Sequence, residues 1–329
     1  MNKKPRIVVL TAQGRSSFEE GQAARLEAVA DVVFDSAPDV LETEELAARL
    51  ADADYAGLTP RSVPAIDGSW LRLLPRLKGI AVFATGVDYI DMDELKRRGI
   101  WLSHLPDYST ESVAEHTLGL LLTMSRRIHL SQDRVRGRVP QGTSVRGWEL
   151  RGKTIGIVGL GRIGSRVADL ARAFGMRVLG HDPKQSACDV PNIDMDELLA
   201  SSDVVSLHFP ARWQGEAAFG SRQLAAMKPG ATLINVSRCA LVDASAVVAA
   251  IEAGSLLGYA VDDFFPLGES DERAKRQISE GRILQTGHTA WYSQEVIRRG
   301  YETWIDNLIA MAEGKPIHLA QMGEEEGQL

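Results

Sequence analysis

Short apolar runs alternate with helical patterns along the first third of the chain. Strand-like runs fall at 7–10, 32–34, 55–58, 79–83 and 100–103. Apolar positions at helical spacing separate them, at 18–30, 42–51, 69–74 and 93–98. Such alternation predicts a parallel sheet covered by helices on both faces.

A long helix and a loop then interrupt the alternation of strands and helices before it resumes. A long helix is predicted over 110–130, followed by a polar, glycine-rich loop over 134–152. Further strands are predicted at 154–158, 178–179, 204–207, 232–236, 258–261 and 283–285, before a last helix at 293–313. We therefore expect two α/β domains, one formed by residues 1–104 and 290–329 and the other by residues 105–289.

The end of the strand at 154–158 carries the most specific motif. It runs into Gly159-Leu-Gly161-Arg162-Ile163-Gly164, and a helical pattern follows. In a Gly-x-Gly-x-x-Gly turn the first glycine makes the tight turn, and the second lets the backbone approach a pyrophosphate. The third lets helix and strand pack closely. Because the helix N-terminus also favours phosphate, this order predicts a dinucleotide site.

An acidic residue after the second strand indicates which dinucleotide binds. Asp182 lies 18 residues after Gly164, where a carboxylate can accept a hydrogen bond from a ribose 2′-hydroxyl. A carboxylate repels a 2′-phosphate, so NAD is favoured over NADP. Lys184, two residues later, is a cation that would soften this preference.

Composition and charge exclude other classes of protein. A chain of 329 residues is long for a single core, which agrees with two domains. Its net charge of −7, without a basic block, argues against nucleic acid as a partner. No apolar run approaches the roughly 20 residues of a membrane span. The two cysteines, Cys188 and Cys239, lack metal-ligand spacing, so we expect a reduced, cytoplasmic protein without a metal site.

Four further stretches, taken with residues 159–182, resemble the NAD-dependent D-2-hydroxyacid dehydrogenases. This family includes phosphoglycerate, glycerate, D-lactate and formate dehydrogenases. The stretches are Phe83–Asp91, Pro106–Glu115, Ile234–Asp243 and Thr286–Ser293. The run His-Thr-Ala-Trp-Tyr-Ser at 288–293 is most similar to the branch that contains the C-terminal-binding-protein corepressors. The resemblance implies a Rossmann NAD domain inserted in a flavodoxin-like substrate domain, both doubly wound, and a homodimer.

The resemblance also implies roles for individual residues in hydride transfer between NADH and a 2-keto acid, or in the reverse reaction. Arg238 would clamp the substrate carboxylate, which suits a planar guanidinium. His288 would be the acid/base, since an imidazole titrates near neutrality. The implied substrate contacts are Ala84, Thr85, Gly86, Val87 and Trp291. The implied cofactor contacts beyond the glycines and Asp182 are Arg162, Ile163, His208, Pro210, Ser237 and Asp262, with His208 beside the cofactor and not catalytic.

Three positions depart from the family pattern, all on the substrate side. The glutamate that pairs with the histidine is expected at Leu267, so either Glu269 reaches His288 or the carboxylate is absent. Cys239 replaces the glycine after the arginine, and Gly287 replaces the proline before the histidine. Two alternatives therefore stay open. One is the same cofactor chemistry on an atypical substrate, such as a phosphonate; the other is an NAD-sensing interaction protein with little turnover.

Overall fold

A computed structural model of the chain describes residues 3–320, apart from 185–187, 211–216, 267 and 269–270. The chain forms two compact units. Within the described ranges, one contains residues 3–108 and 294–320, and the other is Ser109–Ser293. Each unit is built on a parallel sheet, as the alternating pattern predicts.

The sheet of the first unit has the flavodoxin-like strand order. Its strands are β1 (Arg6–Thr11), β2 (Asp31–Ser36), β3 (Tyr55–Leu58), β4 (Gly79–Val82) and β5 (Trp101–Ser103). They lie in the order β2-β1-β3-β4-β5, and every neighbouring pair is parallel. β3 and β4 are buried along their whole length. Neither strand has a polar face, as expected where helices cover both faces of a parallel sheet.

The sheet of the second unit has a nucleotide-binding order. Its strands are β6 (Thr154–Val158), β7 (Arg177–His181), β8 (Val204–Leu207), β9 (Ala231–Asn235), β10 (Leu256–Val261) and β11 (Ile283–Gln285). The order is β11-β10-β9-β8-β6-β7, and a single parallel bridge from Gly180 to Asn192 extends it beyond β7. The strand order reverses between β6 and β8, which is where doubly wound sheets bind ligands. The predicted fold class is confirmed.

The helices occupy most of the segments between strands. In chain order they are α1 (Glu20–Val29), α2 (Thr43–Leu50), α3 (Gly68–Leu71), α4 (Met92–Arg98), α5 (Thr110–Arg126), α6 (Ile128–Val135), α7 (Arg162–Ala173), α8 (Met195–Ser201), α9 (Ser221–Ala226), α10 (Ala244–Glu252), α11 (Glu272–Ser279) and α12 (Gln294–Ala312). The sequence patterns identified no helix in the segments of α8 to α11. Within the described ranges, no helix is both long enough and apolar enough to cross a membrane.

The prediction of one helix over 110–130 is wrong. Arg127 adopts a left-handed conformation, with φ of 55°, and separates α5 from α6. Its guanidinium donates to the carbonyl oxygen of Gly281 at 3.0 Å, and His129 Nε2 lies 3.1 Å from the same oxygen. Contacts with a residue about 150 positions away accompany this break, so a local periodicity cannot reveal it.

Candidate active site

The glycine turn after β6 has steric reasons for its first and third glycines and open space at the second. Gly159 has φ of 92°, and a Cβ atom there would lie 2.7 Å from the carbonyl oxygen of His208. At Gly164 a Cβ atom would lie 2.0 Å from the carbonyl oxygen of Gly159, so helix and turn could not pack. At Gly161 a Cβ atom would meet nothing within 4 Å. The turn is therefore closed on two sides and open at its middle glycine.

The open side of the turn lies at the start of a helix. Gly161 is the N-cap of α7, whose first residues are Arg162, Ile163 and Gly164. A helix N-terminus presents N–H groups without partners in the helix, together with the positive end of the helix dipole. The space at Gly161 therefore fits the pyrophosphate of a dinucleotide.

Asp182 is held beside this turn at the end of β7. Its Oδ2 accepts a hydrogen bond from the Leu160 N–H at 2.7 Å, and its Oδ1 accepts one from the Lys184 N–H at 2.9 Å. The Asn192 side chain pairs with both backbone groups of Asp182, at 3.0 and 2.9 Å. The carboxylate is thus oriented next to the glycine turn, as binding of a ribose hydroxyl requires.

His208 forms a wall of the same turn. It follows β8, and its Nε2 lies 2.8 Å from Ser206 Oγ. Its Nδ1 is buried and has no hydrogen-bond partner among the described residues. Burial lowers the pKa of His208 to about 3, so the imidazole is neutral and suited to packing, not to proton transfer. Pro210 follows on the surface as the last described residue before 211–216.

Arg238 stands just beyond β9, at the start of a 3₁₀ turn over Cys239–Leu241. The Asn235 amide donates to the carbonyl oxygen of Arg238 at 2.7 Å, and the Arg238 guanidinium donates to that of Ser237 at 2.9 Å. The Ser237 hydroxyl donates to the Leu207 carbonyl oxygen at 3.1 Å, which joins the turn to the end of β8. The backbone that carries the half-buried Arg238 is therefore fixed at several points.

His288 lies in a turn after β11 with an unusual backbone. Gly287 and His288 both have positive φ, 65° and 62°. A proline at 287 could not adopt that φ, so the departure Gly287 and the conformation of this turn belong together. The His288 side chain is exposed and makes no hydrogen bond with a described residue. The Trp291 indole donates to the His288 carbonyl oxygen at 3.1 Å.

Asp262 holds this turn in place from the end of β10. Its Oδ1 accepts hydrogen bonds from Thr286 Oγ1 at 2.6 Å and from the Thr289 N–H at 2.8 Å, and its Oδ2 accepts one from the Ala290 N–H at 2.7 Å. His116 Nε2 lies 3.0 Å from Thr286 Oγ1. Sequence reasoning predicted a cofactor contact for Asp262 and missed this second role. The two strands are adjacent only in the folded sheet, where the carboxyl ends of β10 and β11 meet at one edge, so no pattern along the sequence indicated this role.

The loop Ala84–Val87 lies in the first unit, directly after β4. The Leu105 N–H donates to the Ala84 carbonyl oxygen at 2.8 Å, and Thr85 Oγ1 donates to the Leu105 carbonyl oxygen at 2.8 Å. His104 Nδ1 lies 2.8 Å from the Thr85 carbonyl oxygen. The segment after β5 thus fixes the backbone of this loop.

Most of the predicted site residues stand at the carboxyl ends of neighbouring strands in the second unit. Arg238, Asp262 and His288 follow β9, β10 and β11, which are consecutive in the sheet. Leu267 and Glu269 lie outside the described residues, so the hypothesis about the histidine's carboxylate partner stays a prediction. Among the residues that the structure describes, no cluster of His, Cys, Asp or Glu is suited to a metal ion.

Comparisons with known proteins identify the second unit. Residues 118–290 match the D-isomer specific 2-hydroxyacid dehydrogenase, NAD binding domain. A glyoxylate reductase from Aeropyrum pernix is 35% identical over 291 residues, 84% of this chain and 85% of that protein. The D-lactate dehydrogenase of Aquifex aeolicus, complexed with NAD and lactic acid, is 28% identical, with a TM-score of 0.77 and coverage of 94% and 96%. An acyclic imino acid reductase in complex with NADPH and D-Arg is also 28% identical, with a TM-score of 0.83 and coverage of 96% and 100%.

Proposed function

Because the chain belongs to the D-isomer specific 2-hydroxyacid dehydrogenase family, whose members are NAD-dependent oxidoreductases, we propose roles for its residues in that reaction. Arg238 binds the carboxylate of a small 2-keto or 2-hydroxy acid, and His288 exchanges the proton of the reacting oxygen. The observation that carries this proposal is the placement of both residues at the ligand-binding edge of one sheet, Arg238 after β9 and His288 after β11, with only β10 between these strands.

The chemistry follows from the side chains. A guanidinium stays charged at any physiological pH and can pair with a carboxylate through two parallel hydrogen bonds. A protonated imidazole can give its proton to a carbonyl oxygen while charge develops there, and the neutral form takes it back in the reverse direction. Bound NADH supplies the hydride. On the first unit, the proposed substrate residues are Ala84, Thr85, Gly86 and Val87.

The proposed cofactor contacts all lie in the second unit. Gly159, Gly161 and Gly164 shape the pyrophosphate turn, and Asp182 receives the ribose. His208 supports the turn from β8, and Ser237, Asp262 and Pro210 are further proposed contacts. Asp182 favours NAD over NADP because a carboxylate repels a 2′-phosphate.

A second candidate is the same hydride chemistry on an atypical acceptor. The left-handed pair Gly287 and His288 and the substitution at Cys239 support it, because both lie where the substrate is proposed to bind. The similar fold of the imino acid reductase indicates that an imine is a suitable member of the test panel.

The proposed partner of the chain is a second copy of itself, in a cytoplasmic homodimer. Ile128, Val135 and Phe174 are exposed apolar side chains of the second unit, 52%, 81% and 44% accessible. Two shallow grooves that share Leu122 and Arg126 lie among them. Analytical ultracentrifugation of the protein and of Val135→Glu tests this, and a monomeric unmodified protein contradicts it.

The central experiment measures NADH oxidation with a panel of glyoxylate, pyruvate, hydroxypyruvate, a phosphonate analogue and an imine formed in situ. We expect turnover with a 2-keto acid. We expect Arg238→Gln to lose most of this turnover and to bind NADH with unchanged affinity. If Arg238→Gln keeps activity within a few-fold, which corresponds to about 1 kcal/mol or less, the clamp is elsewhere. If only the phosphonate or the imine reacts, the second candidate is correct.

A further inference from the structure

Two aspartates are adjacent at the end of β10, and their carboxylates hold different turns. Asp262 accepts from the Thr286 hydroxyl before His288 and from the backbone N–H groups of Thr289 and Ala290 after it. Asp263 is directed to the Arg238 turn, where its Oδ2 accepts a hydrogen bond from the Cys239 N–H at 2.9 Å. Its Oδ1 accepts one from its neighbour, the Phe264 N–H, also at 2.9 Å. Both oxygens of Asp263 therefore point at backbone donors.

The Cys239 N–H needs an acceptor from outside its own turn. Cys239 is the first residue of the 3₁₀ turn that follows Arg238, and the first N–H groups of a helical turn have no partner within it. A carboxylate is the strongest acceptor available for such a donor. Asp263 therefore ties the residue after Arg238 to β10, across from the strand that carries Arg238.

Asn235 fixes the other side of Arg238. This fully buried amide donates to the Arg238 carbonyl oxygen at 2.7 Å and to the Tyr259 hydroxyl at 3.1 Å, and it accepts from the Ser237 N–H at 3.0 Å. The peptide group between Arg238 and Cys239 is thus held at its oxygen by β9 and at its nitrogen by β10. A guanidinium on such a backbone has fewer orientations to lose when it binds a carboxylate.

The thiol of Cys239 does not compete with this arrangement. Burial, with the charge of Asp263 nearby, raises the pKa of the Cys239 thiol to about 11. The thiol is neutral at ordinary pH and adds no charge that would repel an anionic substrate.

We propose that Asp263 is a positioning residue for Arg238. Of the two adjacent aspartates that follow β10, Asp262 holds the His288 turn and Asp263 holds the Arg238 turn. The inference rests on the proposed function of Arg238 as the carboxylate clamp. Asp263 itself contacts no substrate, and its effect passes through the backbone at Cys239.

The negative charge of Asp263 offers a competing explanation, and it predicts a change of the keto-acid KM in the opposite direction. A carboxylate near a guanidinium weakens attraction for an anionic substrate, so removal of the charge alone would lower the KM for the keto acid. Asp263→Asn removes the charge but keeps an oxygen that can accept from Cys239. Asp263→Ala removes both. Positioning predicts that Asp263→Ala raises the keto-acid KM roughly tenfold and that Asp263→Asn changes it by about twofold or less.

The experiment compares kcat, the keto-acid KM and the NADH Kd of these variants with those of Asp194→Ala. Asp194 is a matched control because it caps α8 by accepting from the Asp196 N–H at 2.8 Å, away from the Arg238 turn. We expect both alanine variants to melt a few degrees lower, as loss of a capping carboxylate usually costs about 1 kcal/mol. We expect only Asp263→Ala to raise the keto-acid KM, with an unchanged NADH Kd.

Several outcomes overturn the proposal. A keto-acid KM that falls in both Asp263 variants supports the electrostatic explanation. An unchanged KM in Asp263→Ala means that the hydrogen bond to the Cys239 N–H does not position Arg238. A joint loss of kcat and NADH binding means that the substitution disrupts the fold generally. If Asp263→Ala does not fold, Asp263→Ser carries the same expectation, because its shorter side chain cannot span to Cys239. Arg238→Gln distinguishes a failure of the proposed clamp from a failure of the proposed positioning by Asp263. If it leaves the KM unchanged, the clamp itself is wrong; if it raises the KM and the Asp263 variants do not, only the positioning is wrong.

Discussion

The glycine turn and the turns of Arg238 and His288 lie in the same unit, but they differ in how much of their structure one short segment of the chain determines. In the glycine turn, a Cβ atom at Gly164 would meet the carbonyl oxygen of Gly159, five positions earlier, and a Cβ atom at Gly159 would meet the carbonyl oxygen of His208. The Arg238 turn is tied to Asp263, 24 positions away, and the His288 turn to Asp262, 27 and 28 positions away. The glycine turn can thus be recognised from one short segment even though it also packs against distant residues, whereas the Arg238 and His288 turns depend on the sheet that brings β9, β10 and β11 together.

The largest expected effect tests whether the His288 turn is catalytic. His288→Ala should lower kcat by roughly 10² to 10⁴, the usual contribution of a positioned acid or base. NADH binding, measured by fluorescence titration, should remain normal because the glycine turn is a separate structure. Unchanged turnover with the best substrate of the panel would mean that another group supplies the proton.

Two matched glycine-to-alanine variants test whether Gly161 serves cofactor binding and Gly164 serves the packing of the turn. Gly161→Ala places a methyl group in open space at the N-cap of α7, so we expect a melting temperature lower by a few degrees at most, because alanine is a poorer N-cap than glycine. We expect the NADH affinity to fall by about tenfold, since steric intrusion costs about 1–3 kcal/mol. Gly164→Ala places the same group 2.0 Å from the Gly159 carbonyl oxygen. This variant should lose stability first. Equal melting temperatures with equal NADH affinities would contradict the assignment of Gly161 to the pyrophosphate.

The same contrast explains how much the sequence could predict. The strand, glycine turn, helix and Asp182 follow one another within about 30 residues, so each position could be assigned from its neighbours. Arg238 and His288 were found through resemblance and through their places after apolar strands. The contacts of Asp262 and Asp263, and the helix break at Arg127, depend on residues brought close by the fold. No periodicity along the chain encodes those distances.

Asp182→Ala should have a smaller effect on the cofactor side. Loss of hydrogen bonds to ribose should weaken NADH binding by about tenfold or less, because a hydrogen bond to a charged group contributes about 1.5–3 kcal/mol and water replaces part of it. The preference over NADPH should narrow, since the repulsive charge is gone. Asp182→Asn is the control, because it keeps an acceptor for the Leu160 N–H. If the unmodified protein binds NADPH as well as NADH, Asp182 does not select the cofactor.

The smallest expected effect concerns His208, which belongs to the cofactor side by position and carries no proposed proton transfer. Its pKa is lowered by burial from 6.5 to about 3, so the unfolded chain takes up this proton at a higher pH than the folded protein. The stability that comes from the neutral imidazole is therefore fully present above pH 6.5 and is lost as the pH falls toward 3. His129 is half-buried, and its pKa is also lowered by burial, so it contributes in the same direction.

His208→Gln removes one of these two titrations and keeps a side chain that can bond to Ser206. We expect its melting temperature to fall less steeply than that of the unmodified protein between about pH 6.5 and pH 4. At about pH 8, where the imidazole is neutral in both folded and unfolded chains, kcat should stay within about twofold, because His208 transfers no proton. A loss of kcat comparable with that of His288→Ala would place a catalytic group inside the glycine turn. That result would end the separation between a cofactor side built on the glycine turn and a catalytic side built on the turns of Arg238 and His288.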